Sequence, residues 1–104
     1  VLKATDTSTI VTGRRLGHAV RSIKTPYSRK YAKTEYTDIS DSDLEALGVG
    51  SLRKAAVDGN ESEGCYLAGQ IAGLVNKEQS AADMIHEICT EAEQILKNAS
   101  VYVK

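Results

Sequence analysis

The chain has 104 residues, which suits one domain, and a net charge of −1, which gives no general reason to expect nucleic-acid binding. Hydrophobic residues make up 41% of it, but because it lacks Phe and Trp, its core must be aliphatic with only five tyrosines. No apolar run approaches the roughly 20 residues of a membrane-spanning helix, and no Cys/His cluster predicts a metal site. So thin a core suits a piece that packs on a larger body.

The charges are segregated along the chain. Residues 1–37 hold eight Lys or Arg against two Asp or Glu, a net charge of +6, whereas residues 38–104 carry −7. This asymmetry indicates a basic surface that meets an anion, or one that pairs with the acidic half of the same chain, or a solvated surface. Cys65 and Cys89 occur without a secretion signal, which predicts free thiols and a cytoplasmic location.

The first elements predict two strands. Val1–Ala4 has the composition of a helix end, and the β-branched run Thr9–Thr12 predicts the first strand. His18–Ile23 alternates polar and apolar residues and predicts a second strand with one exposed face. Pro26 then ends it, because proline disfavours helix at the preceding residue and lacks an N–H group.

Helices follow these strands. Tyr27–Thr37 predicts a short helix or an ordered connector; its mixture of tyrosines and basic residues is a weak indication of single-stranded nucleic acid. We expect no nucleic-acid partner, since no recognised module is present. A second helix is predicted from a cap at Asp41 or Ser42 to a stop at Gly48, and a third over Ser51–Val57 with Ser51 as its cap.

The least polar run of the chain is Gly64–Val75, which predicts a turn followed by a helix from about Leu67. Gln70 is its central amide and would need hydrogen-bond partners in an apolar setting. Ser80 caps the clearest predicted helix, Ala81–Asn98, whose apolar residues recur at three and four. Small residues in the glycine-rich run favour close backbone approach: Ala68, Gly69, Ala72 and Gly73.

Three motifs resemble one enzyme family in the family's own order. Gly17–Lys24 reads Gly-His-Ala-Val-Arg-Ser-Ile-Lys, Gly48–Ala55 fits Gly-x-Gly-x-Leu-x-Lys-Ala, and Gly64–Val75 contains Gly-Cys-Tyr-Leu-Ala-Gly-Gln-Ile-Ala-Gly-Leu-Val. Together they resemble the C-terminal third of the FMN-dependent enoyl-ACP reductase II family, within the nitronate monooxygenase / 2-nitropropane dioxygenase superfamily. Where close relatives are expected to have Gly-Ser-hydrophobic-Met, this chain has Gly-Cys-Tyr-Leu at 64–67.

The resemblance implies an α+β, mostly helical fragment of a TIM-barrel (β/α)8 flavoenzyme whose barrel would precede residue 1. Residues 1–60 would form a small lid-like subdomain, and residues 61–104 a flavin-proximal turn and helices that return to the barrel. The intact enzyme would use NAD(P)H and FMN to reduce a trans-2-enoyl thioester of bacterial fatty-acid synthesis. Because the family's phosphate loops and catalytic histidine belong to the barrel, the fragment alone should be inactive and should bind neither cofactor tightly.

The resemblance also implies the candidate site. It has no catalytic residue and no metal ligand in this chain, and its flavin- or substrate-proximal residues are Gly64, Cys65, Leu67, Ala68, Gly69 and Gln70. A tightly packed helix start is the alternative role for this segment. The basic residues proposed to attract the acidic acyl carrier protein or a cofactor phosphate are Arg14, Arg15, Arg21, Lys24, Arg29 and Lys30.

The resemblance also implies partners and leaves two rival functions open. The expected partners are the missing barrel portion and the acyl carrier protein, with a homodimer left open and no membrane. One rival is a nitronate monooxygenase of the same superfamily. The other is a stand-alone binding or regulatory module, which the absence of glycine-rich phosphate loops supports and the thin aliphatic core opposes.

Overall fold

The computed structural model describes residues 1–103. Its regular elements are a two-stranded sheet, four α-helices and two short 3₁₀ helices: β1 (Thr9–Thr12), β2 (Val20–Ile23), α1 (Pro26–Thr34), α2 (Asp41–Gly48), α3 (Ser51–Ala56), a 3₁₀ helix at Gln70–Leu74, α4 (Ala81–Lys97) and a 3₁₀ helix at Ala99–Tyr102. About half of the chain is helical beside a two-stranded sheet, which agrees with the predicted α+β class.

The two strands form an antiparallel hairpin in which Thr9 pairs with Ile23 and Thr12 with Val20. The first strand lies where it was predicted, but the second begins two residues later than expected. Gly13 and Gly17, with φ of 77° and 76°, form a tight loop between the strands, and the residues just before Val20 belong to this loop instead of the strand. The predicted helix end at Val1–Ala4 is wrong, since these residues form a turn.

The segment after β2 is a helix rather than a connector. Thr25 caps α1 by accepting a hydrogen bond from the backbone N–H of Ser28, whose hydroxyl in turn accepts from the Thr25 N–H at 2.8 Å. Pro26 occupies the first helical turn, where a missing N–H group costs nothing. The predicted end of β2 before Pro26 is thus confirmed.

The caps of α2 and α3 differ from prediction by one or two residues. Ser40, rather than Asp41 or Ser42, caps α2 through the Asp43 N–H. Gly48 belongs to α2, and the left-handed residue that separates the two helices is Gly50, with φ of 74°. Gly50 precedes α3 as its first flanking residue, so Ser51 lies inside the helix and does not cap it.

The prediction that a helix begins at about Leu67 is also wrong. Leu67 forms a bridge with Ser22 of β2, and only Gln70–Leu74 turns as a short 3₁₀ helix. The glycine-rich run packs on the chain's own backbone, since a Cβ on Gly73 would lie 2.8 Å from the backbone nitrogen of Asp6. The extended backbone at Leu67 follows from strand pairing rather than from helix propensity.

The last helix was predicted almost residue for residue. Ser80 caps α4 by accepting from the Asp83 N–H at 3.1 Å. No side chain of α4 is buried, although the helix is amphipathic. Its apolar face is more than 40% exposed at each of five positions: Met84, Ile85, Ile88, Ile95 and Leu96. The helix therefore has an apolar surface without a packing partner in residues 1–103.

The buried core is small, as the composition predicted. Its hydrophobic members are Tyr31, Leu44, Ala55, Cys65 and Ala72. The radius of gyration is 18.3 Å, against about 13 Å for a compact domain of this length, and the longest dimension is 58 Å. Within residues 1–103 no helix is long and apolar enough to cross a membrane. The body is the hairpin with α1 to α3, and α4 adds little to its burial.

Candidate functional site

Gly64 and Cys65 are fixed by hydrogen bonds to α3 and to the loop that follows it. The Cys65 N–H donates to the Ser51 carbonyl at 2.9 Å, and the Gly64 N–H donates to the Asn60 carbonyl at 2.8 Å. A Cβ on Gly64 would clash with that carbonyl and lie 2.9 Å from Cα of Ala55. Glycine is required at position 64 because the backbone here lies directly against α3.

Residues 66–68 extend the sheet. The Ile23 N–H donates to the Tyr66 carbonyl at 2.8 Å, and the Ala68 N–H donates to the Arg21 carbonyl at 3.2 Å. These bonds use the edge of β2 that β1 leaves free. The predicted site segment is therefore held on one side by α3 and on the other by the sheet, which fixes the position of Leu67.

The Cys65 thiol is buried beside the hydroxyl of Ser22. Burial raises the pKa of the thiol, and the nearby Ser22 hydroxyl opposes this rise only in part. Ser22 is itself 0% exposed, and its hydroxyl has no hydrogen-bond partner within the described residues. A buried thiol with a raised pKa is a poor nucleophile, so Cys65 contributes shape rather than reactivity.

Two cavities meet at the predicted site. One has a volume of about 180 Å³ and lies between the hairpin, α1 and α3. The other has a volume of about 420 Å³ and lies on the outer side of the same wall. Leu52, Cys65 and Leu67 line both. Two of the six predicted site residues, Cys65 and Leu67, thus form an apolar partition between the cavities. The family resemblance predicted that these residues lie near a cofactor, but it did not predict the shape of the partition.

Gly69 and Gln70 lie at the exposed end of the same segment. A Cβ on Gly69 would meet only the Ile71 side chain, at 3.8 Å, and the hydrogen bonds within residues 1–103 do not include the Gln70 amide. The amide is therefore available to a partner outside the described residues. Close backbone packing explains glycine at position 64 but not at position 69.

The predicted basic residues divide into two groups. Three use their charged groups within the chain: Arg21 donates to Thr9 Oγ1 at 3.0 Å, Lys24 to the Thr7 carbonyl at 2.6 Å, and Arg15 to three carbonyls. The other three lie exposed, and no hydrogen bond or ion pair of their side chains occurs within residues 1–103: Arg14, Arg29 and Lys30. Only this second group presents free cations at the surface.

Glu35 is a residue that sequence reasoning missed. Its carboxylate is 1% exposed and accepts the backbone N–H groups of Gly13, at 3.2 Å, and Arg15, at 2.8 Å. The Arg15 guanidinium continues the network to the Thr37 and Ile39 carbonyls and forms an ion pair with Asp41 at 2.9 Å. This network holds the loop between the strands, on which Arg14 projects. It also joins the basic half of the chain to its acidic half.

Among residues 1–103 no group of His, Cys, Asp or Glu side chains lies close enough to hold a metal ion. His18 and His86 are both exposed and lie in different parts of the fold. The segment can supply an apolar wall and one free amide to a neighbouring site.

Comparison with solved structures identifies the class of protein with this arrangement: the chain is similar to the enoyl-ACP reductase II enzymes. One such structure is FabK from Thermotoga maritima, 33% identical, with a TM-score of 0.83, covering 98% of this chain and 32% of that chain. A mutant of the same FabK is 30% identical, with a TM-score of 0.73, covering 98% of this chain and 29% of that one. No family model and no curated protein sequence matches the chain.

The resemblance predicted from the sequence is therefore confirmed. The chain spans about a third of the length of the FabK structures it matches, in agreement with the prediction of a C-terminal third. The division at residue 60 and the roles of the site residues stay predictions.

Proposed function

We propose that the chain is the part of an FMN-dependent enoyl-ACP reductase that borders the flavin site and covers the mouth of a TIM-like barrel. The observation that carries this proposal is the match in fold and sequence to FabK over 98% of the chain, with a TM-score of 0.83. The anchored segment at 64–68 supports it, because its backbone is held by hydrogen bonds to α3, to the loop after α3 and to β2.

In this proposal the chain's residues shape the site and exclude water. When bound, FMN would supply hydride transfer from NAD(P)H to the enoyl thioester. Leu67 and Cys65 would form an apolar wall beside the reacting atoms, and the free Gln70 amide would bond the flavin edge or a neighbouring loop. Residues of the barrel would hold the phosphate and supply any proton.

The apolar face of α4 supports the proposed barrel contact. A helix with a polar face and five exposed apolar residues is stable in a folded protein only when that face is covered. We therefore place the missing barrel portion against Met84, Ile88 and Ile95. This contact also opposes the rival function of a stand-alone module.

The acyl carrier protein is the proposed partner of the free cations. Arg14, Arg29 and Lys30 can attract an acidic protein without losing internal bonds, whereas Arg15 cannot. Charge reversal at Arg14 and Lys30 in the full-length protein should raise KM for carrier-linked substrate and leave KM for a small thioester unchanged. An unaltered KM for the carrier-linked substrate at low salt would refute this role.

A substrate comparison on the full-length protein tests the function itself. The protein should oxidise NAD(P)H when crotonyl thioester is added and should show no oxygen-dependent activity on an alkyl nitronate. The reverse result would favour the nitronate monooxygenase. Because both enzymes use FMN, the comparison separates them by substrate, while a protein active on neither would contradict both.

A further inference from the structure

Another cavity, with a volume of about 270 Å³, lies between α1, α2, α3 and the loop that follows α3. The charged residues of its lining are Lys30 from α1, Lys54 from α3 and Glu63 from the loop. Two positive charges and one negative charge give the lining a net charge of +1. Tyr31 lines this cavity and also the 180 Å³ cavity beside the candidate site. The cavity is therefore a basic pocket next to the segment at 64–68.

Both ammonium groups of this pocket act on one point, the Glu63 carboxylate. Lys54 Nζ donates to Glu63 Oε2 at 2.6 Å. This hydrogen bond is the main cause of the lowered pKa of Glu63, and the charge of Lys30 acts in the same direction. Lys30 forms no ion pair within residues 1–103. The pocket thus favours an anion between the two lysines, and Lys30 keeps a free charge for a second one.

Tyr31 adds a hydroxyl without a partner. The residue is only 8% exposed, yet its hydroxyl makes no hydrogen bond to any of residues 1–103 and is not sealed from solvent. The Tyr27 hydroxyl, by contrast, donates to the Leu47 carbonyl at 3.3 Å. Burial raises the pKa of Tyr31, and Tyr27, Glu35 and Glu45 act in the same direction, so the hydroxyl keeps its proton. A protonated hydroxyl on a buried residue requires an acceptor, which a ligand can supply.

The donors of this pocket suit a phosphate ester, whose oxygens accept hydrogen bonds from ammonium and hydroxyl groups. The proposed reaction offers two sources of this chemistry. One is the phosphodiester that joins the pantetheine arm of the thioester substrate to its carrier protein, and the other is a phosphate of the nicotinamide cofactor. A phosphodiester carries one negative charge, which matches the net charge of the lining. Arg29 and Lys30, two free cations proposed to attract the carrier, lie on the same helix, so the arm is the favoured occupant.

We propose that this pocket binds the phosphate of the pantetheine arm through the Lys30 ammonium and the Tyr31 hydroxyl, with Lys54 shared between the phosphate and Glu63. The inference rests on the proposed function, which it deepens by naming the part of the carrier-linked substrate that this chain holds. Glu63 weakens the binding, because its carboxylate competes with the phosphate for Lys54.

The test uses the full-length protein loaded with FMN and two substrates that differ only in the phosphate, crotonyl-pantetheine and crotonyl-phosphopantetheine. The kcat/KM of the phosphorylated substrate should be about tenfold higher, since a hydrogen bond to a charged group contributes about this factor. Lys30→Gln and Tyr31→Phe should each lower this ratio by at least about threefold, whereas Glu63→Gln should raise it. Lys33→Gln removes an exposed charge of α1 outside the pocket, and as the matched control it should keep the ratio within about twofold.

Isothermal titration calorimetry with phosphopantetheine and pantetheine gives a result that does not depend on turnover, and the same preferences are expected in the Kd values. Equal affinity for the two compounds, or a preference that Lys30→Gln and Tyr31→Phe both leave unchanged, would overturn the proposal. If Lys30→Gln instead lowered only the preference for NADPH over NADH, the pocket would hold the cofactor phosphate and the assignment to the arm would be wrong. A protein inactive on every enoyl thioester that still binds phosphopantetheine through Lys30 would refute the proposed function and retain the phosphate site.

Discussion

Glu35 provides the most quantitative test of the fold. Its carboxylate is 1% exposed and accepts the backbone N–H groups of Gly13 and Arg15. Glu35→Ala removes both acceptors and leaves two donors without a replacement, one buried at Gly13 and one part-buried at Arg15. Since α1 ends at Thr34, the substitution alters no internal helix position, and the effect should come from the lost bonds.

The expected loss follows from these two hydrogen bonds. A hydrogen bond to a charged group contributes roughly 1.5–3 kcal/mol, so the free energy of unfolding should fall by about 3 kcal/mol or more. A domain of this size has a stability of about 5–15 kcal/mol, and the small core places this one low in that range. Glu35→Gln keeps one acceptor but turns an NH₂ group toward the other donor, so its loss should be intermediate.

Urea denaturation followed by far-UV circular dichroism measures the change, and amide hydrogen exchange at Gly13 and Arg15 localises it. Glu45→Ala is the matched control, because Glu45 is exposed on α2 and makes no ion pair within residues 1–103. It should change stability by no more than about 0.5 kcal/mol. A Glu35→Ala variant as stable as this control would refute the account of the loop.

Three further predictions concern the candidate site and the last helix. Gly64→Ala should lower the free energy of unfolding by about 1–3 kcal/mol, because the added Cβ has no space. Gly69→Ala should change it by no more than about 0.5 kcal/mol. Thermal denaturation compares the two variants, and equal losses would contradict the packing described at Gly64. Burial raises the pKa of the Cys65 thiol, so as the pH rises the unfolded chain loses the thiol proton before the folded chain does. The free energy of unfolding should therefore fall above about pH 8.5, measured in a Cys89→Ser background. The slope of urea stability against pH should flatten when Cys65 is replaced by Ala, and an unchanged slope would exclude the thiol as its cause. Ile88→Ser should change the stability of the 104-residue chain by less than about 0.5 kcal/mol, because Ile88 is exposed there. In the full-length protein it should lower stability by about 1.5–3 kcal/mol. Equal effects on the two proteins in denaturation experiments would argue against a covered helix face.

Elements whose signals are local were predicted well. α4 has a capping serine at Ser80 followed by a regular apolar pattern, and both signals lie within the helix itself. At α2, however, Ser40, Asp41 and Ser42 are three consecutive capping candidates, and the sequence does not show which backbone adopts the extended conformation. The boundary was therefore predicted only to within one or two residues.

Features that depend on distant partners were missed. Leu67 lies in a run with no strand pattern, and its extended backbone is set by the free edge of β2, more than 40 residues earlier. The Glu35 carboxylate accepts a hydrogen bond from the N–H group of Gly13, 22 residues away, and no local sequence motif predicts this contact. For the site, motif resemblance located the 64–70 segment, but the two cavities on either side of it arise from packing against Leu52 and the hairpin.

An FMN titration of two proteins, the 104-residue chain and the full-length protein that contains it, tests the central claim most directly. Flavin fluorescence and absorbance report the bound fraction in both. The account predicts stoichiometric binding by the full-length protein and no binding by the chain at tens of micromolar FMN, because the phosphate-binding loops would lie in the barrel. Tight binding by the chain alone, or none by the full-length protein, would contradict it.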